Sequence, residues 1–122
     1  MKYLLFHCLD ETAELSPDDD SDVAGSAADR AVDAWDSEME ARGVKLAGGR
    51  LRPVSEARTV RVRRGEVLVS DGPFAETKEQ MAGYSVLECA DLDEAIEVSS
   101  RHPTAKIGTF ELRPFLDWRR DK

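Results

Sequence analysis

The stretch DGPFAETKEQMAGYSVLECADLDEA, residues 71–95, holds a turn, a charged loop, a strand and the start of a helix. Gly72-Pro73 is a turn signal, and the loop after it carries more ionisable side chains than chain reversal requires. Tyr84–Cys89 follows as an apolar strand. Asp91, with Glu94 three residues later, predicts a capping box at the beginning of a helix. The stretch therefore predicts a strand that leads through a short connection into a helix.

The N-terminal segment KYLLFHCL, residues 2–9, is apolar on both of its alternating faces. Such a strand has to be covered on both sides. One layer of helices covers one face of a small sheet, which leaves the other face for a second sheet or a partner subunit.

The remaining segments complete the predicted order of elements. Residues 16–18 (Ser-Pro-Asp) predict a helix start, and Gly43 predicts its end. The apolar stripe of this helix comprises Ala24, Ala28, Val32, Trp35 and Met39. TVRVR and EVLVS around Arg64-Gly65 predict a tight hairpin. The second helix stops before Pro103, and GTFELRPF forms the last strand. Its predicted buried positions are Leu92, Ala95, Ile96 and Ser99.

The order β, α, β-hairpin, β, α, β predicts an α+β fold, a ferredoxin-like split βαβ unit with an added β-hairpin. We expect one domain over residues 1–115 and a C-terminal tail over residues 116–122.

Charge and composition exclude several classes of function. The 122 residues include 17 Lys/Arg and 25 Asp/Glu, a formal charge of −8, and residues 1–42 alone have twelve acidic and three basic side chains. A field of this sign repels phosphates, so no nucleic-acid partner is expected. No apolar run approaches a membrane span, and the N-terminus lacks a signal-peptide pattern, which predicts a cytoplasmic protein with no membrane partner.

Cys8 and Cys89 are predicted to be reduced, buried thiols. The two histidines have no metal-ligand spacing, and no phosphate-binding or dinucleotide-binding glycine motif is present. The sequence therefore predicts neither a metal site nor a cofactor.

The crowded loop supplies the first candidate site residues. Asp71 is either a turn residue or a carboxylate aimed into a cleft as a general base. Glu76 and Lys78 form either a solvated loop or, if Phe74 is a buried anchor, a pinned wall in which Lys78 faces an anionic ligand or Asp71.

Four other side chains carry an alternative functional interpretation. His102 either caps the end of the second helix or acts as an acid/base group near neutral pH. His7 is either a hydrogen-bonded core or interface histidine or a ligand contact. Tyr84 either packs or places its hydroxyl at a pocket edge, and Arg113 either pairs across the sheet or binds a carboxylate.

DGPFAETKE, together with the hairpin before it and RHP and GTFELRPF after it, closely resembles the DGPF-motif proteins of the YCII-related family. The resemblance implies a dimeric α+β barrel, in which two ferredoxin-like subunits pack their sheets face to face as a homodimer. It implies no established reaction. A His-Asp acid/base pair has been proposed for relatives, but the helical histidine would fall near Val32, so that pair is not carried over. DGPF-type members often occur near genes for alternative sigma factors, which suggests a regulatory setting.

Two main hypotheses follow. In the first, the protein is a homodimer that handles a small organic ligand, and it is left open whether it only binds the ligand or also acts on it as a cofactor-free acid/base enzyme. Asp71, Lys78 and His102 are then the catalytic candidates; the ligand-binding candidates are Glu76, Tyr84, Arg113 and His7. In the second, it is a non-catalytic regulatory or interaction module. A basic partner would then dock on Asp29, Asp33 and Asp36 of the first helix.

Overall fold

The computed structural model describes residues 1–10 and 27–117, apart from the side chain of Ala28. Its elements in chain order are β1 (Lys2–Leu9), α1 (Ala27–Ala41), β2 (Lys45–Arg50), β3 (Arg58–Arg63), β4 (Glu66–Asp71), β5 (Gln80–Glu88), α2 (Leu92–Ser100) and β6 (Thr109–Pro114). Short 3-10 helices at Val54–Glu56 and Pro103–Lys106 follow β2 and α2. The predicted helix start at residues 16–18 and the stripe residue Ala24 lie outside the described residues.

Strands β1, β2, β5 and β6 form one antiparallel sheet with the order β2-β5-β1-β6. Because β5 pairs antiparallel with both β1 and β2, these two strands run in the same direction on either side of it. α1 connects them, so the three elements form a split βαβ unit. The prediction of an α+β fold with an added hairpin is confirmed. Neither α-helix of the described ranges is long and apolar enough to cross a membrane.

The hairpin forms where the sequence predicts it, but as a separate two-stranded sheet of β3 and β4. Its turn residues both have positive φ, 53° at Arg64 and 78° at Gly65, as a two-residue type I′ turn requires. The hairpin strands are not part of the main sheet, whose fourth strand is β2, an element absent from the predicted order. β2 contains two adjacent glycines, which weakens the strand signal.

Both helices pack on one face of the main sheet. α1 contributes Trp35 and Met39, one helical turn apart, and α2 contributes Ala95 and Val98. They cover the alternating strand residues Tyr3, Leu5 and Leu87. The helix-side cover predicted for β1 is therefore present.

The ends of the helices follow from local sequence signals. Gly43, with φ of 73°, and Val44 return hydrogen bonds to the carbonyls of Glu40 and Met39, which is a Schellman motif. At the start of α2, the Asp91 carboxylate accepts from the Glu94 N–H at 2.9 Å. The predicted cap is confirmed.

The buried face of α2 differs from the predicted one. Ala95 and Ser99 are buried as predicted, but Leu92 and Ile96 are each 51% exposed. Val98 is fully buried in their place. The helix is rotated relative to the predicted stripe because its contact surface is set by α1 and β6, which local periodicity does not report.

The other face of the main sheet is also apolar in its middle. Leu4 and Phe6 of β1 lie opposite Val86 and Tyr84 of β5, and all four side chains are half-buried. Cys8 continues the row. This surface, defined here as the outer sheet face, lies opposite the helices.

Candidate functional site

The two histidines, far apart in sequence, meet between the sheet and the helices. The His7 ring lies 4.8 Å from the His102 ring and stacks on Phe110 at 4.5 Å with an interplanar angle of 6°. Trp35 contacts His102, with ring centroids 4.7 Å apart. His7 Nε2 lies 3.0 Å from the buried Ser85 hydroxyl. We call these five residues the histidine cluster.

Strand register explains how the sheet contributes to the cluster. His7 of β1 is the register partner of Gly83 on β5 and of Phe110 on β6, so all three face the helices. A Cβ at Gly83 would lie 3.3 Å from His7 Nδ1, and glycine therefore leaves the room that the imidazole occupies. Ser85 lies two residues further along the same face of β5.

His102 enters the cluster from the connection after α2. It was expected in the last turn of that helix, but it is the N-cap of the following 3-10 helix, where its Nδ1 accepts from the Thr104 N–H at 3.1 Å. The ring thus acts as an acceptor rather than as a donor to helix carbonyls. Because a backbone N–H can only donate, the neutral ring carries its proton on Nε2.

An ion pair lies beside the two imidazoles. Lys45 Nζ, on a side chain only 8% exposed, lies 2.7 Å from Asp36 Oδ1. Asp36 follows Trp35 on α1, and Lys45 begins β2. A buried ammonium needs such a partner, because desolvation of an unpaired charge is costly.

Burial dominates the protonation of both histidines. It lowers the pKa of His7 from 6.5 to about 4, with the neighbouring His102 and Lys45 acting in the same direction and Asp36 opposing them. Burial also lowers the pKa of His102 to about 4, with Lys45 adding to the effect and Asp36 again opposing it. Both rings are therefore neutral at pH 7.

The cluster combines groups that can exchange a proton. A neutral imidazole accepts a proton, and the Ser85 hydroxyl at 3.0 Å can donate a hydrogen bond to His7 Nε2 or accept one from it, according to the tautomer of the ring. Polar groups in an otherwise apolar interior cost stability unless they are hydrogen-bonded, which is why such clusters often mark functional sites. Within residues 1–10 and 27–117, no group of three or more His, Cys, Asp or Glu side chains could hold a metal ion.

The residues of the crowded loop lie in another part of the fold. Asp71 ends β4, its side chain is 89% exposed, and it pairs with Arg58 Nε at 3.2 Å. Glu76 and Lys78 are exposed in the loop that leads to β5. Phe74 is 82% exposed, so the expectation that it anchors this loop in the interior is wrong.

Tyr84 and Arg113 lie on the outer sheet face. They are the register partners of Phe6 and Leu4, which point away from the helices. Arg113 is exposed and its Nε is 4.0 Å from the Glu111 carboxylate. The seven predicted site residues thus fall into three places, and of these only His7 and His102 are in ring contact with each other.

The acidic side chains of α1 are partly engaged within the chain. Asp29 pairs with Arg50 at 3.4 Å, Asp36 with Lys45 at 2.7 Å, and Glu38 with Arg101 at 3.0 Å. These contacts neutralise part of the acidic helix surface considered above as a docking face. Asp33 is exposed.

Ser85, Asp36 and Lys45 were absent from the predicted catalytic and ligand-binding residues, and Asp36 was considered only as part of the acidic docking face of the first helix. One signal for Ser85 exists in the sequence, because it shares the alternating strand face of Leu87 and is the polar member of that face. Asp36 and Lys45 gave no such signal, since their pairing depends on the packing of α1 against an unexpected strand.

Comparison with known proteins places this α+β chain in a family. A sequence model of the YCII-related domain matches residues 1–119, and the chain belongs to that family. An uncharacterised protein of Rhizobium meliloti (strain 1021) is 46% identical over 69 residues, a segment that covers 53% of this chain and 54% of the relative. The aligned segment thus spans about half the length of that relative.

Proposed function

We propose that this YCII-related protein is a homodimer that binds a small organic molecule and that the histidine cluster supplies its acid/base groups. The observation that carries the proposal is the 3.0 Å contact between His7 Nε2 and Ser85 Oγ next to the His102 ring. Three polar side chains meet there between the sheet and the helices, next to the residues of the apolar core.

His7 is the proposed proton acceptor. It is half-buried, whereas Ser85 and His102 are 1% and 3% exposed, so a ligand reaches His7 more readily than the other two. Ser85 orients the His7 ring through their hydrogen bond. His102 favours the neutral form of His7, because protonation of both rings would place two positive charges side by side. The Asp36–Lys45 ion pair next to the two rings has no net charge.

Two apolar surfaces support self-association in the manner of a ferredoxin-like dimeric α+β barrel. The first is the outer sheet face. The second is the valine ribbon, one face of the β3–β4 hairpin; its members are 57–66% exposed and comprise Val60, Val62, Val67 and Val69. An isolated two-stranded ribbon is marginally stable, and exposed apolar patches of this kind mark interfaces. A dimer formed through these surfaces leaves the histidine cluster intact on the helix side.

The ligand part of the proposal can be tested by saturation-transfer NMR with mixtures of one-ring organic compounds. Compounds that bind are then measured against His7→Asn, with Lys78→Ala as the control from the exposed loop. We expect His7→Asn to weaken binding and Lys78→Ala to leave it unchanged. A complete lack of binding compounds, or binding lost only in Lys78→Ala, would contradict the proposed site.

The assembly part can be tested by sedimentation velocity. We expect a dimer that Phe6→Lys, at the middle of the outer sheet face, converts to monomer. Ala34→Lys, at an exposed position of α1 on the opposite side of the sheet, is the matched control and should remain dimeric. A monomeric wild-type protein at micromolar concentration would refute the homodimer.

A further inference from the structure

The charged loop between β4 and β5 holds an aromatic side chain on the protein surface. At the start of the loop, the Gly72 N–H donates to the Ala57 carbonyl at 2.8 Å. At its end, the Gln80 side chain donates back to the Ala75 carbonyl at 3.2 Å. Phe74 lies between these two hydrogen bonds, yet it is 82% exposed. A side chain that is fixed before binding loses less conformational entropy when it becomes buried, so Phe74 is suited to anchor an interface.

An apolar recess lies next to Phe74. It is formed by the connection from β2 to β3, the loop after β4 and the first residues of β5, and its volume is about 380 Å³. Apolar side chains line most of it, among them Leu51, Pro53, Ala57 and Met81. The two charged residues of its wall, Arg52 and Glu56, pair with each other at 2.9 Å. We call it the DGPF recess.

The DGPF recess connects the two apolar surfaces of the proposed dimer interface. Met81, in its wall, is the register partner of Cys8, which continues the row of the outer sheet face. Ala57, also in the wall, directly precedes β3 of the valine ribbon. Met81 and Leu51 are themselves 40% and 45% exposed. The apolar surface therefore runs from the sheet through the recess to the ribbon, which is the extended shape of a protein interface rather than of a ligand pocket.

We propose that the DGPF recess of each subunit receives Phe74 of a second copy of this chain. This inference rests on the homodimer of the proposed function and specifies a contact that holds it together. A two-fold axis brings the same patch of both subunits together, so a protruding group beside a cavity forms two identical contacts. Phe74 and the recess are such a pair, because they lie side by side on one surface.

The size and the charges of the recess suit this exchange. A cavity of roughly 150 Å³ already accepts benzene, so a recess of about 380 Å³ holds a phenyl ring together with its neighbours in the chain. Because Arg52 and Glu56 already pair, a phenyl ring that covers the recess removes no unpaired charge from water. At the base of the hairpin, Arg58 and Asp71 form a second pair at 3.2 Å. Two copies of this surface therefore meet without net charge repulsion.

The test measures the dimer dissociation constant by sedimentation velocity over a concentration series of the full chain. Phe74→Ala removes the side chain that enters the recess, and Ala57→Leu fills the recess that receives it. Either change should raise the dissociation constant about a hundredfold, which is about tenfold for each of the two contacts in the dimer. Ile96→Ala, at an apolar side chain on α2 that is 51% exposed, is the matched control and should leave the constant unchanged.

A mixture of the two variants distinguishes exchange between subunits from a local effect on the loop. A heterodimer of Phe74→Ala with Ala57→Leu keeps one contact, because one subunit retains the phenyl ring and the other retains the open recess. Each variant alone keeps neither contact. The mixture should therefore dimerise about tenfold more tightly than either variant alone, while both variants keep the circular dichroism spectrum of the wild type. A packing role of Phe74 within its own subunit would not produce this recovery.

Two results would overturn the inference while the proposed homodimer stands. In the first, the wild type is a dimer that Phe6→Lys disrupts, but Phe74→Ala leaves its dissociation constant unchanged. In the second, the mixture of Phe74→Ala and Ala57→Leu dimerises no more tightly than its components. A wild type that is monomeric at micromolar concentration is a different result, because it refutes the homodimer itself and the exchange with it.

Discussion

Acidification from pH 7 to pH 5 is expected to destabilise the fold through His7 and His102. Each has a pKa of about 4 in the folded protein, below the value of 6.5 for an exposed ring. The unfolded chain therefore binds more protons between these values, and stability is present above pH 6.5 and falls as the pH decreases towards 4. At pH 5 a shift of this size corresponds to about 2 kcal/mol for one histidine.

The two histidines do not contribute equally. His102 is 3% exposed, so its contribution should approach that value, whereas half-buried His7 is screened by solvent and contributes less. The wild-type free energy of unfolding should thus fall by about 2–4 kcal/mol between pH 7 and pH 5. The carboxyl of Glu88, whose pKa is lowered by the N-terminal amine, titrates below this window and adds little to the change.

Urea unfolding followed by tryptophan fluorescence at pH 7, 6 and 5 measures this change. His102→Gln is the comparison variant, because its decline over the same window should be less than half that of the wild type, whatever its stability at pH 7. A wild-type midpoint that is unchanged at pH 5, or histidine pKa values near 6.5 by NMR, would refute the burial argument.

Three further predictions concern packing and the ribbon. Gly48→Ala should lower the free energy of unfolding by about 2 kcal/mol or more, because the new Cβ would lie 2.5 Å from the Tyr84 carbonyl oxygen and the φ of Gly48 is 153°. Gly49→Ala is the control, because nothing lies within 4 Å of a Cβ at that position. Equal urea midpoints for the two variants would contradict this prediction. Trp35→Phe should cost about 1–3 kcal/mol, since the Val98 carbonyl loses the 3.0 Å bond from the indole N–H, and an unchanged free energy of unfolding would count against that bond. Val62→Lys should leave the circular dichroism spectrum intact but weaken the dimer in sedimentation velocity; an unchanged dimer affinity would remove the ribbon from the interface.

Local signals predicted the local elements. The Asp91 cap, the Arg64-Gly65 turn and the Gly43 helix end each depend on a few adjacent residues, and each forms as predicted. β2 was missed because its pairing with β5 is set by distant residues, while Gly48 and Gly49 supply no side chains to mark a strand. Phe74 was misplaced because apolarity alone does not show whether a loop folds inward.

The candidate site could be predicted only in part. His7 and His102 were recognised as candidates by residue type, but their contact depends on β1 lying beside β6 and on the turn after α2. Ser85 reaches His7 across 78 residues of chain, and only the sheet register creates that contact. Asp71 and Lys78 were favoured because charged loops often carry function, whereas the structure places Asp71 in an exposed ion pair.

The histidine rings themselves report most directly on the claim that the protein handles a small molecule at this cluster. Their Cε1–H NMR signals should be followed at pH 7 during addition of phenol. The account predicts that both rings are neutral in the free protein and that the His7 signal shifts saturably, in step with Phe110. Protonated rings at pH 7 would contradict the account. Histidine signals that do not move, while amide signals elsewhere in the protein shift saturably with phenol, would contradict it as well.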